Sequence, residues 1–176
     1  MVAYWPLAVG LGVLVAAAVL NQVNGRVPNL LSLGMIGAAW LAALFIQCGL
    51  APTSGGGLAA SVICTFAALA VLVPDYAIGC VPAGCVKAQM AFAAWIGCAL
   101  GLGPALTATI IATLAGELVT AAAIALYKIR QNSQAPELYQ RPIDLIRPPA
   151  LFPIQTTLSA GSLLGLAAAA LLGYVA

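Results

Sequence analysis

Few side chains in this sequence are chemically reactive. Its four acids are Asp75, Glu117, Glu137 and Asp144, and it contains no histidine. Carboxyl groups can transfer protons, and a pair of them can activate water. The absence of imidazole excludes His-ligated metals and the Ser-His or Cys-His pairs of nucleophilic enzymes. Carboxyl and thiol groups are therefore the reactive groups to consider.

The five cysteines are odd in number, lie mostly in or beside apolar segments and form no C-x-x-C pair. They are Cys48, Cys64, Cys80, Cys85 and Cys98. This pattern is typical of small apolar core residues rather than of a zinc or electron-transfer site. Cys80 and Cys85 share one connection, so a redox pair there is the alternative. We expect no metal and no cofactor.

Glu117 and Asp75 are the acids closest to apolar segments. Glu117 lies near the middle of the fifth apolar segment, where an ionised side chain costs about 2.5 to 3.5 kcal/mol. We therefore expect it to face the interior, toward polar groups of the first or fourth segment. Asp75 follows Pro74 and is expected to be a water-facing helix-end charge, with an acid pair formed with Glu117 as the alternative. Glu137 and Asp144 are expected to be exposed in a long loop.

Two polar turns carry the most informative spacing. The first polar turn, residues 21–29, begins with Asn21 and ends Arg26-Val27-Pro28-Asn29 before an apolar helix. Proline suits the first turn of a helix, and an arginine there can reach lipid phosphates. The second polar turn, residues 78–87, contains Gly84-Cys85-Val86-Lys87 before another helix. Glycine at that position permits a close approach of the backbone.

At these two places the chain resembles the type IV prepilin peptidase family. These membrane aspartyl proteases carry D-x-R-x-x-R-[IV]-P-N in one loop and G-x-G-D-x-K before a helix containing A-x-x-G. The matching residues are Arg26, Val27, Pro28 and Asn29 in the first turn, Gly84, Val86 and Lys87 in the second, Ala94 and Gly97 in the helix, and more weakly Pro153, Ile154, Ala160 and Gly161. The resemblance implies an all-α, polytopic bundle of six transmembrane helices in one domain, residues 1–176. It also implies aspartic endopeptidase activity on pilin-like precursors, in pilus assembly or protein secretion.

The departures from the family fall at its two catalytic aspartates. Asn21 and Cys85 occupy those positions. An amide cannot ionise and cannot act as a general base, and the thiol has no evident base beside it. We therefore expect a catalytically inactive homologue that binds pilin-like precursor helices or helps to process them. The alternatives are an active peptidase that uses other acids, such as Asp75 and Glu117, and a small transporter or assembly component.

The composition indicates the environment in which these turns must be held. Apolar residues make up 64% of the 176 residues, charged residues make up 6%, and the mean hydropathy is +1.10. Soluble domains carry about 25% charged residues. The sequence therefore predicts an integral membrane protein surrounded by lipid. A net charge of +2 is too small and too scattered to indicate a nucleic-acid partner.

Six apolar segments are long enough, or nearly so, to cross a membrane. They cover residues 3–20, 28–48, 57–74, 87–102, 104–127 and 156–175. All six basic residues lie in or beside the first, third or fifth connection between these segments: Arg26, Lys87, Lys128, Arg130, Arg141 and Arg147. Because basic loops stay cytoplasmic, this predicts connections one, three and five inside and both termini outside a bacterial or archaeal plasma membrane.

Two further expectations concern the last third of the chain. Residues Lys128 to Gln155 are polar and rich in proline, which predicts an irregular cytoplasmic loop that is either a connector or a contact for substrate or partner. Gly161 and Gly165 have the spacing of close helix packing, a weak indication of a homo-oligomer interface.

Overall fold

The structure, a computed structural model, describes residues 4–24, 27–51, 55–134 and 160–167. Within these ranges the chain is helical and contains no β-strand. The helices are α1 (Tyr4–Asn24), α2 (Asn29–Gln47), α3 (Gly57–Ala77), α4 (Ala83–Ala99), α5 (Leu102–Gln134) and α6 (160–167). The all-α prediction is confirmed.

Three of these helices are long and apolar enough to cross a membrane. They are Asn29–Gln47, Gly57–Ala77 and the segment Leu102–Leu126 of α5, with mean hydropathies of 1.9, 2.2 and 1.9. The first helix also contains an apolar stretch, Trp5–Asn21, which is shorter. Their length and composition indicate a membrane protein.

Helix α4 is the centre of the bundle. It contacts α1, α2, α3 and α5, and 13 of its 17 residues are buried. Burial on all sides explains why a helix of only 17 residues is continuously apolar apart from its first two turns. The short fourth segment of the sequence is therefore the element around which the other helices pack.

Small residues allow the helices to approach closely. A Cβ atom added to Gly97 of α4 would lie 2.5 Å from both the carbonyl oxygen of Ala60 and the Cα of Ser61 on α3. At the same crossing, the Ser61 hydroxyl donates to the carbonyl oxygen of Ala94 over 2.7 Å. Apolar side chains gain little from leaving lipid for a protein interior, so van der Waals packing and such hydrogen bonds hold these helices together.

The glycines of α6 pack within the chain. A Cβ atom on Gly161 would lie 2.6 Å from the carbonyl oxygen of Ala115, and one on Gly165 would lie 2.8 Å from the Cα of Ala112. Both contacts are with α5. The glycine pair therefore packs α6 on α5, and the homo-oligomer stays a prediction.

Several predicted helix ends need correction. Helix α1 continues to Asn24 rather than ending near residue 20, and α4 begins at Ala83 rather than near residue 87, so parts of both polar turns are helical. Helix α5 continues to Gln134 rather than ending near residue 127, so the first part of the predicted irregular loop is helical. Lysine and arginine are good helix formers, so the polar residues after 127 can continue the helix. Helix α3 continues to Ala77 and contains Pro74, which has no N–H to donate within the helix. Residues 135–159, including Glu137, Asp144, Arg141 and Arg147, lie outside the described residues.

Candidate functional site at the two polar turns

The two polar turns pack against each other. A Cβ atom on Gly84 would lie 3.3 Å from the Cβ of Val27 and 3.5 Å from its backbone nitrogen. Val27 is buried and clusters with Ala17 of α1 and Ala88 of α4. The first polar turn therefore rests on the start of α4 at the position where the sequence provides a glycine.

Extended prolines precede both helices that begin here. Pro28 has φ −64° and ψ 137°, and Pro82 has φ −70° and ψ 149°. In each case the fixed φ of proline directs the chain into the following helix. Ser32 strengthens the start of α2, since its backbone N–H donates to the carbonyl oxygen of Pro28 over 3.3 Å.

A hydrogen bond joins the two turns at their exposed edge. The ammonium group of Lys87 on α4 donates to the side-chain oxygen of Asn29 at the start of α2 over 2.9 Å. These two residues are 58 positions apart in the sequence. Both belong to the motif residues identified from the sequence, so the fold brings the two motifs together.

A cleft opens beside this contact. It has a volume of about 700 Å³, and its described lining consists of Asn24, Val27, Pro28 and Asn29. The asparagine side chains can both donate and accept hydrogen bonds. The cleft can therefore hydrogen-bond a ligand that offers donors or acceptors. Arg26, between Asn24 and Val27, lies outside the described residues.

Asn21 and Cys85 lie on two helices that pack together, α1 and α4. Asn21 follows Ala17 by four residues in α1, and Cys85 precedes Ala88 by three residues in α4. Ala17 and Ala88 belong to the same buried cluster as Val27 of the first polar turn. Asn21 is half-buried, whereas the Cys85 side chain is buried against Leu72 of α3.

Cys85 has the surroundings of a structural cysteine. Its neighbours Leu72, Val81 and Val86 are apolar, and burial raises the pKa of its thiol to about 12. A thiolate is the nucleophilic form of cysteine, so this group is not activated. Cys80 and Cys85 are not joined by a disulfide. Neither Asn21 nor Cys85 can thus replace the aspartate that the resemblance implies.

The acids Asp75 and Glu117 lie on two helices that pack against each other. Asp75 lies in the last turn of α3 and is half-buried, and Glu117 lies within α5. The Oε1 atom of Glu117 is buried and has no hydrogen-bond partner among the described residues. An acid pair of Asp75 with Glu117, and the helix toward which Glu117 points, stay predictions.

Sequence reasoning missed a buried polar contact between α4 and α6. The Ser162 hydroxyl donates to Oε1 of Gln89 over 3.1 Å, and both residues are at most 1% exposed. The Nε2 atom of Gln89 has no hydrogen-bond partner within the described chain. A glutamine inside an apolar segment was the available signal, because a buried amide requires a partner.

No cluster of three or more His, Cys, Asp or Glu side chains suitable for a metal ion occurs in the part of the chain that the structure describes. The chain also matches no protein-family profile, no curated protein and no solved structure.

Proposed function

We propose that this protein is a catalytically inactive relative of the type IV prepilin peptidases that binds the helix of a pilin-like precursor at the cytoplasmic face of a bacterial or archaeal plasma membrane. The observation that carries the proposal is the contact between the two polar turns. Asn29 and Lys87 hydrogen-bond to each other, and Val27 packs against Gly84, where no side chain is in the way. Motif residues matched by chance in unrelated loops have no reason to lie together.

The proposed inactivity follows from the side chains at the dyad positions. An aspartic protease needs two carboxyl groups that share a proton and activate water. Asn21 provides an amide and Cys85 a buried thiol. One missing general acid or base alone lowers a rate by about 10² to 10⁴, and here both are missing. Binding of a precursor depends on the cleft and the packed turns, which do not require these acids.

The proposed orientation follows from the basic residues. Arg26 and Lys87 belong to the two polar turns, and basic residues near helix ends favour the cytoplasmic side. The six-span topology with external termini completes this proposal. It places the cleft beside Asn24 and Asn29 where the leader of a newly made precursor is accessible.

A binding and cleavage assay tests the proposal. The purified protein in detergent is incubated with a pilin-like precursor, and we expect binding without cleavage. The double variant Asn21→Asp, Cys85→Asp should gain cleavage if the substrate site is intact. The single variants Asn21→Asp and Cys85→Asp are the matched controls, because each provides only one acid of the dyad, and neither should gain cleavage. Absence of precursor binding in every form would refute the proposal.

One alternative rests on the two acids of the described helices. Asp75 of α3 and Glu117 of α5 lie on helices that pack together, and aspartic proteases use two carboxyl groups. In that case the unmodified protein should cleave the precursor, and either Asp75→Asn or Glu117→Gln should abolish cleavage while leaving binding intact. The same assay therefore separates the inactive homologue from an active enzyme with non-standard acids.

A further inference from the structure

The cleft at the first polar turn lies at one end of a membrane-spanning helix. Asn29, which lines the cleft, is also the first residue of the candidate span Asn29–Gln47. The 19 residues of this span extend about 28 Å along the helix axis, close to the thickness of about 30 Å of the hydrocarbon core of a bilayer. The cleft therefore lies at the level of the headgroups of the surrounding lipids.

A positive charge lies at the edge of this cleft and has no carboxylate partner within the described chain. The ammonium group of Lys87 donates over 2.9 Å to the side-chain oxygen of Asn29, which is a neutral amide. The sequences of the two polar turns, residues 21–29 and 78–87, contain no acidic residue. An ammonium group has three N–H donors, and the bond to Asn29 uses one of them. The edge of the cleft therefore offers a charge and hydrogen-bond donors to an anionic ligand.

Exposed apolar side chains lie next to the lining residues of the cleft in both helices. Val23 precedes Asn24 in α1 and is 75% exposed, and Leu30 follows Asn29 in α2 and is 88% exposed. Large apolar side chains exposed beside polar groups are typical of a surface that contacts lipid. A ligand that suits the whole region has an anionic group for Lys87 and apolar chains for Val23 and Leu30. A phospholipid has both, whereas a free phosphate has only the first.

We propose that, in the absence of a precursor, this cleft binds the headgroup of one anionic phospholipid, with the phosphate at Lys87 and the acyl chains beside Val23 and Leu30. The cleft volume of about 700 Å³ lies within the range of about 300 to 1,000 Å³ that is usual for ligand sites. The amide of Asn24 can donate to a phosphate oxygen or accept from a headgroup hydroxyl. Basic pockets between membrane helices bind anionic headgroups in this way. The inference goes beyond precursor binding and does not depend on it.

Lipid titration of the full-length protein in detergent, followed by native mass spectrometry, tests this site without any precursor. Phosphatidylglycerol should bind saturably, with one molecule per protein. Phosphatidylcholine with the same acyl chains should bind more weakly, because its headgroup carries no net charge. Glycerol 3-phosphate, which has the phosphate but no chains, should not displace phosphatidylglycerol at equal concentration. Added salt should weaken the binding of phosphatidylglycerol, because ions screen its attraction to Lys87.

Variants of two lysines locate the binding. Lys87→Met removes the charge but keeps a long side chain, and it should weaken phosphatidylglycerol binding about fivefold, the effect of one basic residue near an anionic membrane surface. Lys87→Arg keeps the charge and should bind this lipid nearly as tightly as the unmodified protein. Lys128→Met is the matched control, because it removes a lysine from α5 that is not part of the cleft, and it should leave the affinity unchanged.

Three results would overturn the proposal. Equal affinities for phosphatidylglycerol and phosphatidylcholine would mean that charge does not select the lipid. Displacement by glycerol 3-phosphate would mean that the site takes a free phosphate rather than a lipid. An affinity that is unchanged in Lys87→Met, or that falls equally in Lys128→Met, would mean that binding does not depend on this cleft. The lipid comparison and the salt dependence use the unmodified protein, so misfolding of a variant does not remove the test. Because no precursor is present, lipid binding and precursor binding can fail independently.

Discussion

The closest helix crossing in the described structure offers a sharp test of how this bundle is held together. We consider Gly97→Ala in α4. The added Cβ would lie 2.5 Å from the carbonyl oxygen of Ala60 and from the Cα of Ser61, both of which are backbone atoms that no side-chain rotation can move. Ordinary van der Waals contact begins at 3.4 Å, so α3 and α4 must separate locally by about 1 Å.

The expected loss of stability has two parts. Overpacking of a closely packed contact costs about 1 to 3 kcal/mol. The same separation stretches the hydrogen bond of 2.7 Å from Ser61 to Ala94, which is worth about 0.5 to 1.5 kcal/mol. Alanine is the better helix former by about 1 kcal/mol, so Gly97→Ala should lower the free energy of unfolding by about 0.5 to 3.5 kcal/mol in total.

Unfolding by titration with SDS in mixed micelles, followed by circular dichroism, measures this change. Gly34→Ala is the matched control, because Gly34 lies in the middle of the neighbouring helix α2 and nothing lies within 4 Å of its added Cβ. That variant should be as stable as the unmodified protein or slightly more stable. If Gly97→Ala and Gly34→Ala behave alike, the close approach of α3 and α4 is not a determinant of the fold.

Three further predictions concern the turns and the core. Lys87→Met removes the exposed hydrogen bond to Asn29 and should lower the free energy of unfolding by less than about 1 kcal/mol in the same titration, while weakening precursor binding if the turns form the site. Ser162→Ala leaves the buried amide of Gln89 without its remaining described partner and should lower the free energy of unfolding by about 1 to 3 kcal/mol. Thr107→Ala should lower it by less, because the hydrogen bond from the Thr107 hydroxyl to the Gly103 carbonyl is exposed. Burial raises the pKa of Cys85 to about 12, so its reactive thiolate is scarce at neutral pH and increases as the pH rises. Peptide mass spectrometry after alkylation should therefore find the exposed Cys48 modified much faster than Cys85. Equal rates would contradict the buried environment of Cys85.

The apolar segments of the sequence predicted the helices well where breakers bound them. Residues 28–48 correspond to α2 at Asn29–Gln47, and residues 57–74 begin where α3 begins. Proline and glycine interrupt helices for local reasons, so their effect can be predicted without knowledge of the fold. The end of α5 could not be predicted in this way, because the polar residues after 127 continue the helix and no breaker precedes Gln134.

The partners of polar side chains could not be predicted from the sequence. Hydropathy indicated that Glu117 should turn away from lipid, but it carries no information about which helix lies opposite. The pairing of Gln89 with Ser162, for example, depends on α6 reaching α4. Long-range contacts of this kind follow from the arrangement of helices and not from local composition.

In the polar turns, the residues that fix the backbone conformation differ from the residues at the two dyad positions. This difference explains how the turns can form without the acids. Glycine at position 84 allows the close packing of Val27, which lies 3.3 Å from where a Cβ would be, and Pro28 directs the chain into α2. These requirements concern packing and exist whether or not a peptide bond is cut. A carboxyl group at Asn21 or Cys85 would add nothing to that packing, and at the buried Cys85 position a charge would be costly. Under the proposed kinship, the cleft does not depend on acids at these positions. Introducing them in the double variant is expected to reduce stability, because a carboxylate must then be buried against Leu72.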